Sequence, residues 1–141
     1  MQWFGGSVKV VIFACVHNAG RSQMAAAFFN EMANPALAQA ISAGTRPADR
    51  VHPEVALVMR ESGVDLTAAT PQLLTAELAQ GADLLITMGC GDECPVVPGL
   101  RRRDWPLPDP KGQPLERVRE VREEVRARIE ELLAQEGWRK T

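Results

Sequence analysis

An unbroken apolar run, Val10 to Ala14, stands near the start of the chain, and after it the spacing of apolar positions changes from continuous to helical. The run predicts a buried strand over 8–14, while Ala25, Phe28, Phe29 and Met32 predict a helix over 22–32. A second strand is expected near 38–42, ending at Ala43-Gly44-Thr45. His52-Pro53 then opens a helix through about residue 62, with Val55, Val58 and Met59 on its apolar face and Gly63 as its stop. Leu73, Leu74 and Leu78 suggest a short helix over 72–80, and Leu84, Leu85 and Ile86 a third buried strand over 83–88. Residues 89–99 hold Gly, Pro and Cys and read as a loop; 100–107 holds a short fourth strand. Val118, Val121, Val125, Ile129 and Leu132 share one face of a long helix over 114–136, whose charges include a Glu124–Arg128 pair at helical spacing. Strands alternating with helices place the chain in the α/β class, with a parallel sheet covered on both faces.

At 141 residues the chain is expected to form one domain, 1–141, with a core that needs no metal or disulfide to fold. The formal charge of −2 argues against nucleic acid as a partner. Charge is uneven: residues 1–100 carry 5 basic and 9 acidic side chains, residues 101–141 carry 11 and 9. The first fifteen residues do not read as an export signal, because Lys9 lies inside the apolar run and cleavage would cut apart a strand-loop-helix unit. No apolar stretch approaches the roughly 18 residues of a membrane span. Three cysteines, an odd number, then point to reduced thiols in the cytoplasm with a chemical task, not to a disulfide framework.

The chemistry is concentrated in Cys15-Val16-His17-Asn18-Ala19-Gly20-Arg21-Ser22. A short loop between a buried strand and a helix turns its backbone N–H groups inward, and the helix N-terminus adds positive potential. Such a cage favours a Cys15 thiolate as nucleophile and receives a tetrahedral oxyanion that Arg21 can grip through two N–H groups. Residues Val16 to Ser22 are the expected oxyanion-binding set. Asn18 tolerates a left-handed backbone and can brace the loop; Ser22 can hydrogen-bond either the loop or the sulfur. The bland alternative, a packed cysteine followed by a solvated arginine, does not account for the placement between strand and helix. His17 is expected to be a loop residue without acid/base duty.

Cys90 and Cys94 follow the third strand, and in a parallel sheet that loop opens on the same edge as the Cys15 loop. Zinc is a competing explanation, but Cys-x3-Cys with only His17 and His52 elsewhere lacks a second ligand pair, so no metal is expected. A redox relay suits three thiols better, one resolving an adduct on Cys15 and another resolving the disulfide that results. Asp109-Pro110 should reach the same edge, where the carboxyl could act as general acid; the alternative is an aspartate that only starts a turn. Arg101, Arg102 and Arg103 are expected to be surface charge, available to draw in an anion or a partner protein.

Cys15-x5-Arg21-Ser22, Asp109-Pro110 and the order of the elements resemble the low-molecular-weight protein tyrosine phosphatase fold, a single-domain three-layer sandwich around a four-stranded parallel sheet. Within that group, Cys15-Val-His-Asn-Ala-Gly-Arg-Ser-Gln-Met-Ala and Gly89-Cys-Gly-Asp-Glu-Cys-Pro resemble the arsenate reductases that finish with a cysteine relay and thioredoxin. The resemblance implies a Cys15–arsenate adduct, attack by Cys90 on Cys15 with release of arsenite, and a Cys90–Cys94 disulfide that thioredoxin reduces. No tightly bound cofactor is implied, and phosphate or sulfate should compete. Gln23 and Lys111-Gly112 stand where the phosphatases typically have Pro and aromatic residues, and the chain has no tyrosine. The two later cysteines are closer together than in many thioredoxin-linked reductases. Ala26 replaces an acidic potassium ligand, and the His-Asn-Ala-Gly loop also resembles relatives that use a mycothiol-like thiol with a glutaredoxin-like partner. The rivals are therefore a tyrosine phosphatase, a thiol transferase and a non-catalytic oxyanion-binding module.

Overall fold

A computed structural model describes residues 7–89, 94 and 97–140. Its elements run β1 (Lys9–Cys15), α1 (Arg21–Met32), β2 (Ala38–Gly44), α2 (Pro53–Glu61), α3 (Ala76–Gln80), β3 (Leu84–Thr87), β4 (Arg101–Asp104) and α4 (Leu115–Glu136). The four strands are parallel in the order β2-β1-β3-β4. β1 lies inside the sheet because both its neighbours bury it: Val11 to Cys15 are shielded from water, and alternate residues serve opposite faces. Val11, Phe13 and Cys15 pack with residues of α1, α2 and α4; Ile12 and Ala14 pack with Ala79 of α3, Leu74, Leu85 and Cys94.

The larger core is built on Phe13, whose ring meets Phe29 at 5.9 Å and Trp105 at 5.7 Å between centroids. Truncating such a ring to Ala costs about 3–5 kcal/mol. α4 stops at Gly137, whose φ of 75° continues the chain in the left-handed region that a side chain disfavours. No helix among the described residues is long and apolar enough to cross a membrane.

Several expectations need correction. Residues 72–74 are extended, not helical: Gly44 N donates to Gln72 O, and Leu74 N donates to Gly44 O. Helix α3 starts only after Thr75, whose hydroxyl caps it by accepting from Leu78 N. The fourth strand is four residues long. Arg101, Arg102 and Arg103 are surface charges as expected, and they pair locally: Arg101 and Arg103 with Glu136 on α4, at 2.9 and 3.3 Å, and Arg102 with Asp104 at 3.9 Å. Arg128 stacks over Trp105, and Glu124 faces Arg117 at 4.0 Å.

The architecture fixes where a site can form. The connection from β1 leads to β2 on one side and that from β3 to β4 on the other, so a crevice opens between the carboxyl ends of β1 and β3. Cys15 is the last residue of β1 and Arg21 the first of α1.

Candidate active site

Between Cys15 and α1 the backbone turns through Asn18, the one non-glycine residue with positive φ (51°) among those described. The loop's carbonyls point outward to the following loop: Arg46 N donates to Val16 O, Ala48 N to His17 O and His52 N to Ala19 O, at 2.8–3.0 Å. Its N–H groups point the other way. Among the described residues none of the amides from Val16 to Ser22 has an acceptor, which leaves them available to an anion. Unpaired amides in a curved loop at a helix N-terminus form an anion cradle.

Hydrogen-bond donors and acceptors around the sulfur order themselves by elimination. Gln72 N–H must donate, so the atom it meets at 2.9 Å is Asn18 Oδ1. Asn18 Nδ2 therefore faces Ser22 and donates to its Oγ at 2.7 Å. Ser22 Oγ keeps its own proton and a second lone pair, so at 2.9 Å it can donate to a Cys15 thiolate or accept from the Cys15 thiol. A hydroxyl aimed at sulfur stabilises a thiolate more than a thiol. Gln23 Nε2 ties back to Asn18 O at 3.0 Å and holds the strained residue in place.

Arg21 is 8% exposed, which for a guanidinium requires partners. Nη1 donates to Leu107 O at 3.0 Å, and Nη2 lies 3.8 Å from Asp109 Oδ2. Asp109 keeps its exposed position through Lys111 N, which donates to Oδ1 at 3.0 Å. Cys15, His17, Ala19, Gly20, Arg21, His52 and Asp109 line one small cup. Burial holds the His52 imidazole below its ordinary pKa, with Glu54 and Asp109 pulling the other way.

Two glycines close the walls. A Cβ on Gly44 would sit 2.5 Å from Val16 O, and one on Gly89, at φ 107°, 2.5 Å from Arg21 Nη1. The sequence reading gives Gly44 and Gly89 only as a strand end and a loop start. It misses Gln72 and His52 altogether as site residues, because no local signal ties position 72 to position 18.

Of the expected residues, the structure brings Cys15, Arg21, Asp109 and the loop Val16 to Ser22 together. Cys94 is 2% exposed, held in a disulfide, and packed in the core cluster on the sheet face opposite the Cys15 cluster; it does not line the cup. Cys15 is a free thiol. Cys90 lies outside the described residues. No group of three His, Cys, Asp or Glu side chains suited to a metal ion occurs among the described residues.

Comparison with known proteins agrees with this geometry. The pattern of the low molecular weight phosphotyrosine protein phosphatase family matches residues 10–139. A putative arsenate reductase of Halobacterium salinarum is 41% identical over 124 residues, covering 85% of this chain and 87% of its own. A glutaredoxin arsenate reductase of Synechocystis is 37% identical over 130 residues, covering 90% and 98%. Among solved structures, the thioredoxin-dependent arsenate reductase of Corynebacterium glutamicum superimposes with a TM-score of 0.80 at 40% identity. That match covers 94% of this chain but 63% of the other.

Proposed function

We propose that this chain, which belongs to the low molecular weight phosphotyrosine protein phosphatase family, reduces arsenate to arsenite. The observation that carries the reading is the cup itself: a free thiol at its floor, 2.9 Å from the Ser22 hydroxyl, beside the backbone amides of the loop from Val16 to Ser22 and a buried guanidinium. The relatives in Halobacterium and Synechocystis are both arsenate reductases by name.

The amides and Arg21 hold the oxyanion while Cys15 sulfur attacks arsenic. One As–O bond breaks, Asp109 supplies a proton, and the oxygen departs as water. Cys90 then attacks Cys15 sulfur. The S–As bond pair stays on arsenic, which falls from the +5 to the +3 state and leaves as arsenite, while a Cys15–Cys90 disulfide forms. Cys94 attacks Cys90 and releases Cys15 as the thiolate; the resulting disulfide takes two electrons from thioredoxin. Cys94 needs to reach only Cys90 in this sequence, so its burial away from the cup is compatible with it.

A tyrosine phosphatase would use Cys15, Arg21 and Asp109 in the same way, with water resolving the adduct. The cup's lining argues against it. Among the described residues that line it, the aromatic rings are the two imidazoles, and Trp105 is turned into the core against Phe13. A phosphoaryl group gains most of its affinity from apolar and aromatic walls that a bare oxyanion does not need.

The test is arsenate-dependent NADPH oxidation with thioredoxin and thioredoxin reductase. Turnover is expected with the native chain and lost in Cys15→Ser, Cys90→Ser and Cys94→Ser; no arsenate turnover with the native chain, together with hydrolysis of p-nitrophenyl phosphate that Cys90→Ser and Cys94→Ser leave unchanged, assigns a phosphatase. The Synechocystis relative gives a specific reason to run a glutathione and glutaredoxin arm beside it. Turnover in that arm alone replaces the donor and leaves the cup chemistry intact.

A further inference from the structure

Charge at the cup does not balance for a doubly charged ligand. Among the described residues that line it, Arg21 is the only permanent cation, and Asp109 Oδ2 already stands 3.8 Å from its Nη2. A dianion entering beside a Cys15 thiolate brings more negative charge than Arg21 offsets, even with Asp109 protonated as the proposed reaction requires. The groups in the lining that can gain positive charge are His17 and His52, the chain's two histidines.

His52 is the better placed. Its N–H donates to Ala19 O at 3.0 Å, and its carbonyl accepts from Val55 N and Ala56 N, so the anion loop and the first turn of α2 clamp it at both ends. Its ring edge borders Gly20, where Cδ2 lies 3.7 Å from the place a Cβ would take. The charged groups that face it are Glu54 on α2, Asp109 and Lys111 from the loop before α4, and His17 from the anion loop. Burial, Lys111 and His17 favour the neutral ring; Glu54 and Asp109 favour the charged one. Opposing influences of this kind leave a group responsive to one more nearby charge.

Building on the oxyanion reading above, we propose that His52 is a binding residue of the cup. It takes a proton from solvent as a doubly charged oxyanion enters, presents an imidazolium N–H to the anion's outer oxygen, and returns the proton when the anion leaves.

Sulfate is the probe, because it stays a dianion across the neutral range and any proton taken up belongs to the protein. The two imidazoles are followed by proton NMR from about pH 5 to about pH 9, with and without saturating sulfate, His17→Gln and His52→Gln supplying the assignment. The His52 midpoint is expected to rise by about one pH unit with sulfate, and sulfate affinity to fall about tenfold through that window, as linkage requires. In H52Q the pH dependence should flatten while sulfate still binds. An unchanged His52 midpoint at saturating sulfate, or loss of the coupling in H17Q and not in H52Q, overturns the inference and leaves the oxyanion site standing. Failure of the native chain to bind sulfate overturns it too; arsenate turnover then shows whether the reading beneath falls with it.

Discussion

Ser22 and Cys15, seven residues apart in sequence, meet at 2.9 Å with the Ser22 oxygen already receiving the Asn18 amide. The serine thus has its proton free to donate to the sulfur once Cys15 is a thiolate. A hydrogen bond to a charged group contributes about 1.5–3 kcal/mol. Ser22→Ala should lower the rate of arsenate reduction by about tenfold to a hundredfold at neutral pH and slow alkylation of Cys15 by iodoacetamide. Sulfate affinity should change little, since the amides and Arg21 remain. Equal alkylation rates in the two proteins would sink the assignment.

Gly44 and Gly89 should fail differently when replaced by Ala. The atom a Gly44 Cβ would meet is backbone, Val16 O at 2.5 Å, with Asn18 N at 2.9 Å, so the loop itself must move. Loss of both anion binding and several degrees of melting temperature is expected. At Gly89 the obstacle is the tip of the Arg21 side chain, which can swing aside, although φ of 107° adds backbone strain of about 1–3 kcal/mol. Here sulfate affinity should drop about tenfold or more, the loss of a charge-assisted contact, in a protein that still folds cooperatively. Calorimetric melts and sulfate titrations on both variants separate the cases.

Asp109→Asn removes the proposed proton donor but keeps the side chain's size. General acid catalysis contributes about 10²–10⁴ in rate, so turnover should fall within that range while sulfate binds as well as before or better, because a negative charge beside Arg21 has gone. An unaltered rate would return Asp109 to the role of a turn residue.

Glu61 on α2 holds Arg119 and Arg122 of α4 at 2.8 and 2.9 Å. Its hydrogen bond with Arg119, followed by that with Arg122, lowers its pKa from 4.5 to about 2. A carboxylate with a depressed folded pKa contributes stability that is fully present above 4.5 and lost as pH falls toward about 2. Comparing native and Glu61→Gln melts, the native chain should hold a small advantage near neutral pH that closes across that window. The pair is solvent-exposed, which keeps the advantage modest and makes it shrink in high salt. A gap that persists at the acid end would mean the ion pairs are not its source.

How much of this was legible beforehand depends on the range over which each signal acts. Alternation and helical spacing are set by near neighbours, so β1, α1, α2, β3 and α4 fall close to their expected limits, and the anion loop sits between strand and helix as its composition implies. The left-handed Asn18 was equally readable, because only its own side chain decides whether that backbone is tolerable. Residues 72–74 misled for the same reason: their leucines have a local helical rhythm, but the backbone groups of Gly44, distant in sequence, claim them.

The chain's order of residues therefore determined the strand-loop-helix unit, the nucleophile and its arginine, all of them local consequences of side-chain shape and backbone preference. Only the folded molecule decided that Gln72 orients Asn18 across 54 residues, that Arg21 spans 86 residues to Leu107 O, that Cys94 packs on the far face of the sheet, and that His52 borders the cup. Those contacts come from parallel strands being brought side by side with their carboxyl ends together, a pairing encoded by the burial of the whole sheet and by no single stretch of it.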